Sequence, residues 1–261
     1  MLKGAALITG ASMGIGRALA DEFAKHGHPV ILVARSEGKL RELADQISAQ
    51  HKVQAHVIAQ DLTDPNAAHT LYDQVQALGV SVDILVNNAG FASYGFFHEL
   101  DLKTQTDMIQ LNVTTLTALS HLFVQEMLAR RSGKILNVAS TAGFLPGPLM
   151  AVYYATKAYV LSFSEALNNE LRDKGVSVTA LCPGPTQSEF QARAAMQDSK
   201  LVQRSLMTSH EVAAQGYAAL MAGESVRITG FSNKLLMFMR RLLPRDMITR
   251  MARNAQDRVG H

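Results

Sequence analysis

The sequence predicts a doubly wound α/β domain on a parallel sheet, and three observations carry that prediction. Short apolar runs of strand length, among them residues 5–8 and 29–34, alternate with longer stretches of helical periodicity. The alternation sets four strands and three intervening helices in turn by Val86, which calls for right-handed crossovers. The 261 residues can bury one large core, and neither a low-complexity linker nor an internal repeat beyond this alternation divides them.

Residues 5–8 form the first strand. They lead into Thr9-Gly10-Ala11-Ser12-Met13-Gly14-Ile15-Gly16 and then into a helical stretch from Arg17. A glycine turn between strand and helix exposes backbone N–H groups beside a helix N-terminus, which suits a pyrophosphate. The spacing G-x-x-x-G-x-G is not the common dinucleotide fingerprint, so a tight turn kept for packing is the competing reading. No G-K-[ST] follows, which argues against a nucleoside-triphosphate loop.

Residues 29–34 are a second strand, followed by Arg35 and by Ser36 as cap of a helix to about Gln50. Residues 52–58 form a third strand. Asp61-Leu62-Thr63-Asp64-Pro65 turns into a helix through Ala77, with Pro65 in its first turn, and residues 82–86 form the fourth strand. Asn87-Asn88-Ala89-Gly90 closes that strand, where a doubly wound sheet puts ligand contacts. An aromatic loop, 91–97, precedes a long helical region over 101–130 with a break near 110–113. Residues 134–138 are a fifth strand ending at Ser140, and an apolar loop, 141–150, leads to a helix over 152–172. The sixth strand, 176–181, stops at Cys182-Pro183-Gly184-Pro185-Thr186. A helical flap is expected over 187–208, then a helix over 210–221 capped by Ser209 and a short last strand at 226–229.

Composition narrows the function classes. The chain is 48% apolar and 18% charged, with a formal charge of +3. Residues 227–261 hold eight Lys or Arg against Asp246 and Asp257, a net +6, so the preceding residues carry −3. A single cysteine, Cys182, rules out an internal disulfide framework and fits a reducing compartment. The nine histidines show no metal-ligand spacing, so no metal is expected. No apolar stretch reaches membrane-spanning length, and residues 1–8 show no secretory pattern. A cytoplasmic protein is the expectation.

The chemical signal is Tyr153-Tyr154-Ala155-Thr156-Lys157. Positions four apart share one helix face, so Tyr153 and Lys157 can meet in one pocket. An ammonium beside a phenol favours the phenolate and eases proton exchange with an alcohol or ketone. Tyr154 pairs at the same spacing with Ala158, which brings no charge. Alone, the pattern also describes a surface tyrosine and a solvated lysine.

Taken together, Thr9 to Gly16, Asp61, Asn87 to Gly90, Asn112, Ser140, Tyr153, Lys157 and Pro183-Gly184 resemble the short-chain dehydrogenase/reductase family, in its reductase and hydroxysteroid-dehydrogenase-like branch. The resemblance implies one Rossmann-like, three-layer α/β/α domain with a seven-stranded parallel sheet. It implies Tyr153 as proton donor in reduction, Lys157 as the group that lowers the tyrosine pKa and holds the nicotinamide ribose, and Ser140 as a donor to the reacting oxygen. Asn112 would support a proton relay through Lys157. Gly10, Ser12, Gly14, Ile15 and Gly16 would surround the pyrophosphate side. Asp61 and Leu62 would meet adenine; Asn87, Ala89 and Gly90 would meet the ribose and central region; Pro183, Gly184 and Thr186 would flank nicotinamide.

An acidic residue at the end of the second strand favours NAD. Here Ala34 and Arg35 stand there, and a guanidinium suits a 2′-phosphate, so NADP(H) is the expected cofactor. Phe91, Tyr94, Phe96, Phe144, Leu149 and Met150 suit a small lipophilic carbonyl or alcohol substrate, steroid-like compounds included. Residues 1–230 are expected as the reductase domain, and 231–261 as a basic amphipathic C-terminal extension packed on the domain or at an interface. The family implies a homodimer or homotetramer. Peripheral membrane contact is a second reading of the extension, and no nucleic-acid motif accompanies its charge. The alternative function is an NADP(H)-binding regulatory or scaffold protein that acts through this extension.

Overall fold

The computed structural model describes residues 4–187 and 206–256. Three wholly buried strands, β1 (Ala5–Thr9), β2 (Val30–Ala34) and β4 (Val82–Asn87), form the middle of the sheet, because their residues are apolar on both faces. β3 (Ala55–Ala59) lies at one edge; β5 (Gly133–Val138), β6 (Val176–Cys182) and β9 (Val226–Ile228) extend the other side. The order β3-β2-β1-β4-β5-β6-β9 is parallel throughout. The expected three-layer, seven-stranded α/β/α fold is the one observed.

Alternation along each strand feeds two cores. Ala6 and Ile8 face α1 (Gly14–Lys25), α2 (Glu37–His51) and α7 (Ser209–Ala222), packing with Leu19, Phe23, Leu40, Ile47 and Val212. Ala5 and Leu7 face α3 (Ala67–Ala77) and α5 (Leu116–Ala129), packing with Leu71, Val75, Phe123 and Met127. Each fully buried Leu or Phe here contributes about 1.5–3 kcal/mol. The order of strands reverses between β1 and β4, so a crevice opens at their C-terminal ends.

Several boundaries differ from the sequence expectation, each for a local reason. β3 starts at Ala55 and not at 52, because Lys52 (φ 59°) ends α2 in the left-handed region. α3 starts past Pro65, because the Asp64 carboxylate accepts the Asn66 N–H at 2.7 Å and holds a turn there. α7 is capped by Thr208, not Ser209. Thr208 accepts from the Glu211 N–H at 3.2 Å while Glu211 accepts from the Thr208 N–H at 2.8 Å, a reciprocal box. The Ser209 hydroxyl instead donates to the Gln187 carbonyl at 2.9 Å. The flap expected over 187–208 falls mainly outside the described residues; β7 (Thr186–Gln187) and β8 (Met207–Thr208) pair in parallel at its ends.

Candidate active site

The glycine turn owes its form to close packing. Gly10 has φ 67°, and a Cβ there would lie 2.8 Å from the Asn88 amide nitrogen. A Cβ on Gly16 would run into the Gly10 carbonyl and the same amide. Asn88 is the staple: its side chain donates to the Thr9 carbonyl at 2.8 Å and the Gly10 carbonyl at 3.3 Å. The Thr9 hydroxyl returns the contact by accepting the Asn88 and Ala89 N–H groups, each at 3.0 Å. The turn is thereby fixed to the end of β4, and α1 begins at Gly14 without a side-chain cap on its first N–H groups. Uncapped N–H groups on a rigid turn fit an anion such as a pyrophosphate.

Asn87 points elsewhere. Its amide donates to the Ser120 hydroxyl at 3.0 Å and to the Asn137 carbonyl oxygen at 2.9 Å, and Asn137 donates to Ser164 at 2.9 Å. This buried chain crosses the sheet from α5 to α6 (Ala151–Leu171) through paired positions of β4 and β5. The Asn87 amide nitrogen is thereby engaged within the protein. Leu62 is similarly sunk in the core, with its carbonyl accepting from Thr115 at 2.9 Å.

The expected helical break after α4 (Leu102–Ile109) is a π-turn over Gln110–Thr115. Such a turn re-aims side chains within a helix, and here it buries Asn112. The Asn112 side chain accepts the Phe91 N–H at 3.2 Å and donates to the Phe91 carbonyl and Thr156 hydroxyl, each at 3.1 Å. A Cβ on Gly90 would stand 2.9 Å from Asn112 Oδ1 and 3.7 Å from Lys157 Nζ, so the absent side chain leaves these groups room.

Helical periodicity turns Tyr153, Lys157, Val160 and Ser164 of α6 inward. Ser140, at the end of β5, hydrogen-bonds the Tyr153 hydroxyl. Lys157 Nζ donates to the Val138 carbonyl at 2.7 Å and stands 5.9 Å from the centroid of the Tyr153 ring. Burial pushes the Tyr153 phenol above its ordinary value, and the Ser140 hydrogen bond opposes that only partly. Burial likewise pushes the Lys157 ammonium down, to about 8. Burial thus governs the phenol, and what opposes it is the Ser140 hydrogen bond and not the charge on Lys157. Tyr154 is not interchangeable with Tyr153, because its hydroxyl is occupied by the Gln256 amide.

Beyond the tyrosines lies an apolar cluster of Ala92, Tyr94, Met108, Met150 and Tyr154, flanked by Phe91, Leu145 and Leu149. Leu149 sits in the left-handed region, φ 67°, and its carbonyl accepts the Gly95 N–H at 2.9 Å, tying together the loops before α6 and after β4. Phe144 and Phe96 lie outside the cluster; Phe144 packs behind Ser140 with Leu116 and Val160, and Phe96 is exposed. The Pro183 carbonyl accepts the Thr141 N–H at 2.9 Å, and Thr186 donates to the Gly184 carbonyl at 2.9 Å, placing this loop beside Ser140.

Arg35 and Asp61 close the opposite end of the crevice, at the ends of β2 and β3. They form an open pair, Nη1 to Oδ2 3.8 Å, with both side chains about half or more exposed. Burial pushes the Asp61 carboxyl up, but bonds from the Thr63 N–H and hydroxyl, with the Arg35 charge, hold it below its ordinary value. Ser12 lies in the glycine turn and Ile15 in the first turn of α1.

Sequence reasoning missed three contributors: Thr9 and Asn88 as staples, and Gln256, whose carbonyl accepts from Tyr94 at 2.6 Å while its amide holds Tyr154. Asn88 lay within a recognised motif. Gln256 had no local signal, because its partners are more than 100 residues away in the chain.

Known proteins are similar to this chain in sequence and fold. Residues 4–199 match the family model for short chain dehydrogenase. The human very-long-chain 3-oxoacyl-CoA reductase is 36% identical over 184 residues, which cover 68% of this chain and 58% of that protein. The chain thus spans less than two thirds of the length of the curated relatives it matches. A short-chain dehydrogenase from Sphingobium yanoikuyae, solved in complex with NADPH, is 32% identical with a TM-score of 0.82, covering 91% of this chain and 94% of that one. The bulky-bulky ketone specific alcohol dehydrogenase from Comamonas testosteroni is 29% identical with a TM-score of 0.79, covering 99% and 96%. By the span of the match and by the fold, the chain belongs to the short chain dehydrogenase family.

Proposed function

We propose that the chain reduces the carbonyl of a lipophilic ketone or aldehyde with NADP(H) as cofactor. The observation that carries this is the buried contact of Ser140 with Tyr153 over Lys157, beside an apolar cluster. The uncapped start of α1 would take the pyrophosphate, Arg35 the 2′-phosphate, and Lys157 the nicotinamide ribose. NADPH supplies the hydride when bound.

The chain's own residues supply the rest. Tyr153, with its pKa raised by burial, keeps its proton through neutral pH, which is the state a proton donor needs. It gives that proton to the substrate oxygen while Ser140 donates a hydrogen bond to the same oxygen, stabilising the charge that develops there. Asn112, held by Phe91 and Thr156, supports proton return through Lys157. The apolar cluster at Phe91, Tyr94 and Leu149 excludes water and favours a bulky apolar group on the substrate. The chain's likeness to a very-long-chain 3-oxoacyl-CoA reductase and to a bulky-bulky ketone specific alcohol dehydrogenase supports that class. On this reading residues 1–230 are the reductase domain, 231–261 a basic extension packed on it or at an interface, and the assembled form is a homodimer or homotetramer working in the cytoplasm.

Separate titrations with NADPH and NADH, followed by a panel of aryl, alicyclic and long-chain ketones, test the reading. Tighter NADPH binding and turnover of bulky apolar ketones are expected. NADPH binding without turnover of any carbonyl would overturn the reductase assignment.

A further inference from the structure

α8 (Phe231–Met239) and α9 (Arg245–Gln256) carry a surface that the reductase chemistry does not use. α8 buries only Met237. Phe231 is 81% exposed and Leu242 70%, and Leu235, Leu236, Phe238 and Met239 between them are exposed too. α9 is two-faced: Ile248, Ala252 and Gln256 turn inward, whereas Met247 and Met251 stay exposed. Scattered exposed apolar groups are ordinary on a soluble protein, but six large ones on one short segment are not.

The surface frames the proposed substrate side. The Asn233 side chain lies against Gly184, and Arg240 donates to the Phe144 carbonyl at 2.5 Å while stacking on the Phe144 ring. Arg253 lies 5.0 Å from the centroid of the Phe96 ring, and Phe96 and Phe97 are exposed. At the end of α9, Gln256 joins Tyr94 and Tyr154 of the apolar cluster. The outer faces of the two helices therefore continue into the loops that surround the cluster.

Charge decides what covers this surface. Lys234, Arg245 and Arg250 are exposed among the apolar groups, with Asp246 the one acid in the described part of the extension. A second copy docked on this surface by a two-fold axis would bring the same net-positive set, Lys234, Arg245 and Arg250 against Asp246, onto both sides of one interface. An anionic bilayer meets them with opposite charge and accepts the Leu, Met and Phe side chains in its interfacial layer. We propose that α8 and α9 dock this protein onto an anionic membrane surface, holding the mouth of the apolar cluster at the level where lipophilic compounds dissolve. The substrate half of this inference rests on the reductase reading; the docking half does not.

The test uses the full chain and co-sedimentation with vesicles of phosphatidylcholine alone or with about a third phosphatidylserine. Binding is expected to the anionic vesicles and to weaken at high salt. Lys234→Gln, Arg245→Gln and Arg250→Gln should each weaken it about fivefold, and Leu236→Glu with Phe238→Glu should abolish it. NADPH affinity in the same samples confirms that each variant is folded and should not move. No binding to anionic vesicles, or equal binding to neutral ones, would overturn the proposal. So would a monomer–dimer equilibrium that Phe238→Glu abolishes without affecting vesicle binding. Failure of the unaltered chain to bind anionic vesicles, with NADPH-dependent turnover intact, would overturn the docking proposal alone, whereas vesicle binding without NADPH binding would overturn the reductase reading alone.

Discussion

Replacing Arg35 by alanine isolates the basis of cofactor choice. A guanidinium–phosphate hydrogen bond is worth about 1.5–3 kcal/mol. Against that stands the existing pair with Asp61, 3.8 Å apart and largely solvent-exposed on both sides. Such exposed pairs contribute at most about 1 kcal/mol, so the phosphate wins the guanidinium by at least about 0.5–2 kcal/mol, or roughly two- to thirtyfold in Kd. Arg35→Ala should weaken NADPH by that factor and leave NADH nearly unchanged. Asp61→Asn should move the NADPH-to-NADH ratio the other way, because it removes both the competitor for Arg35 and a negative charge beside the phosphate; any lost adenine contact cancels in the ratio. Fluorescence titration of each variant with both cofactors reads the ratios directly. An unchanged ratio in Arg35→Ala would refute the assignment of the 2′-phosphate to this end of β2.

Three further outcomes follow from the site. Tyr153→Phe should lower kcat at least a hundredfold with cofactor affinity intact, a loss of the size expected for a proton donor, whereas Tyr154→Phe should act mainly on KM for the substrate; the reverse pattern in steady-state assays would assign the chemistry to Tyr154. NADPH affinity should fall as pH rises through about 8, because Lys157 is charged below that point and neutral above it, and a charged donor binds ribose hydroxyls more strongly than a neutral one. Calorimetric titration of Lys157→Met should give a flat profile over the same interval, and a wild-type profile that is already flat would contradict the assignment. Gly16→Ala should weaken NADPH at least tenfold and cost about 1–3 kcal/mol in urea unfolding, since its Cβ has no space beside Gly10 and Asn88; wild-type stability and binding together would show that the turn gives way.

Much of the architecture was legible because it is local. β1, β2 and β4 are buried on both faces, so they read as uninterrupted apolar runs, and their ends were placed within a residue or two. The break at 110–113 was readable, but the π-turn was not, since one extra residue in a helix leaves no mark in periodicity. β3 was placed too early because Lys52 adopts a left-handed cap that a lysine does not advertise. In the site, Tyr153 and Lys157 follow from helical spacing and Arg35 from its place after β2. The inward turn of Asn87 follows from β4 pairing with β5, and Gln256 from the return of the C-terminal helix. Both depend on contacts between distant segments, which no window of sequence contains.

The buried chain Ser120–Asn87–Asn137–Ser164 bears on how this protein can change. An apolar core tolerates exchange among Leu, Ile and Met, because one hydrocarbon can stand in for another. A chain of donors and acceptors cannot be edited one member at a time. Replacing Asn137 alone strips the Asn87 amide of one of its two acceptors, leaving one buried N–H unmatched at about 1–3 kcal/mol, and takes from the Ser164 hydroxyl its donor, leaving it only its bond to the Val160 carbonyl. This seam ends on α6, one turn beyond Val160 and two beyond Lys157. New substrate preferences can therefore arise in the loops around Phe91 and Leu149, while the helix that carries Tyr153 stays anchored by residues that have to change together or not at all.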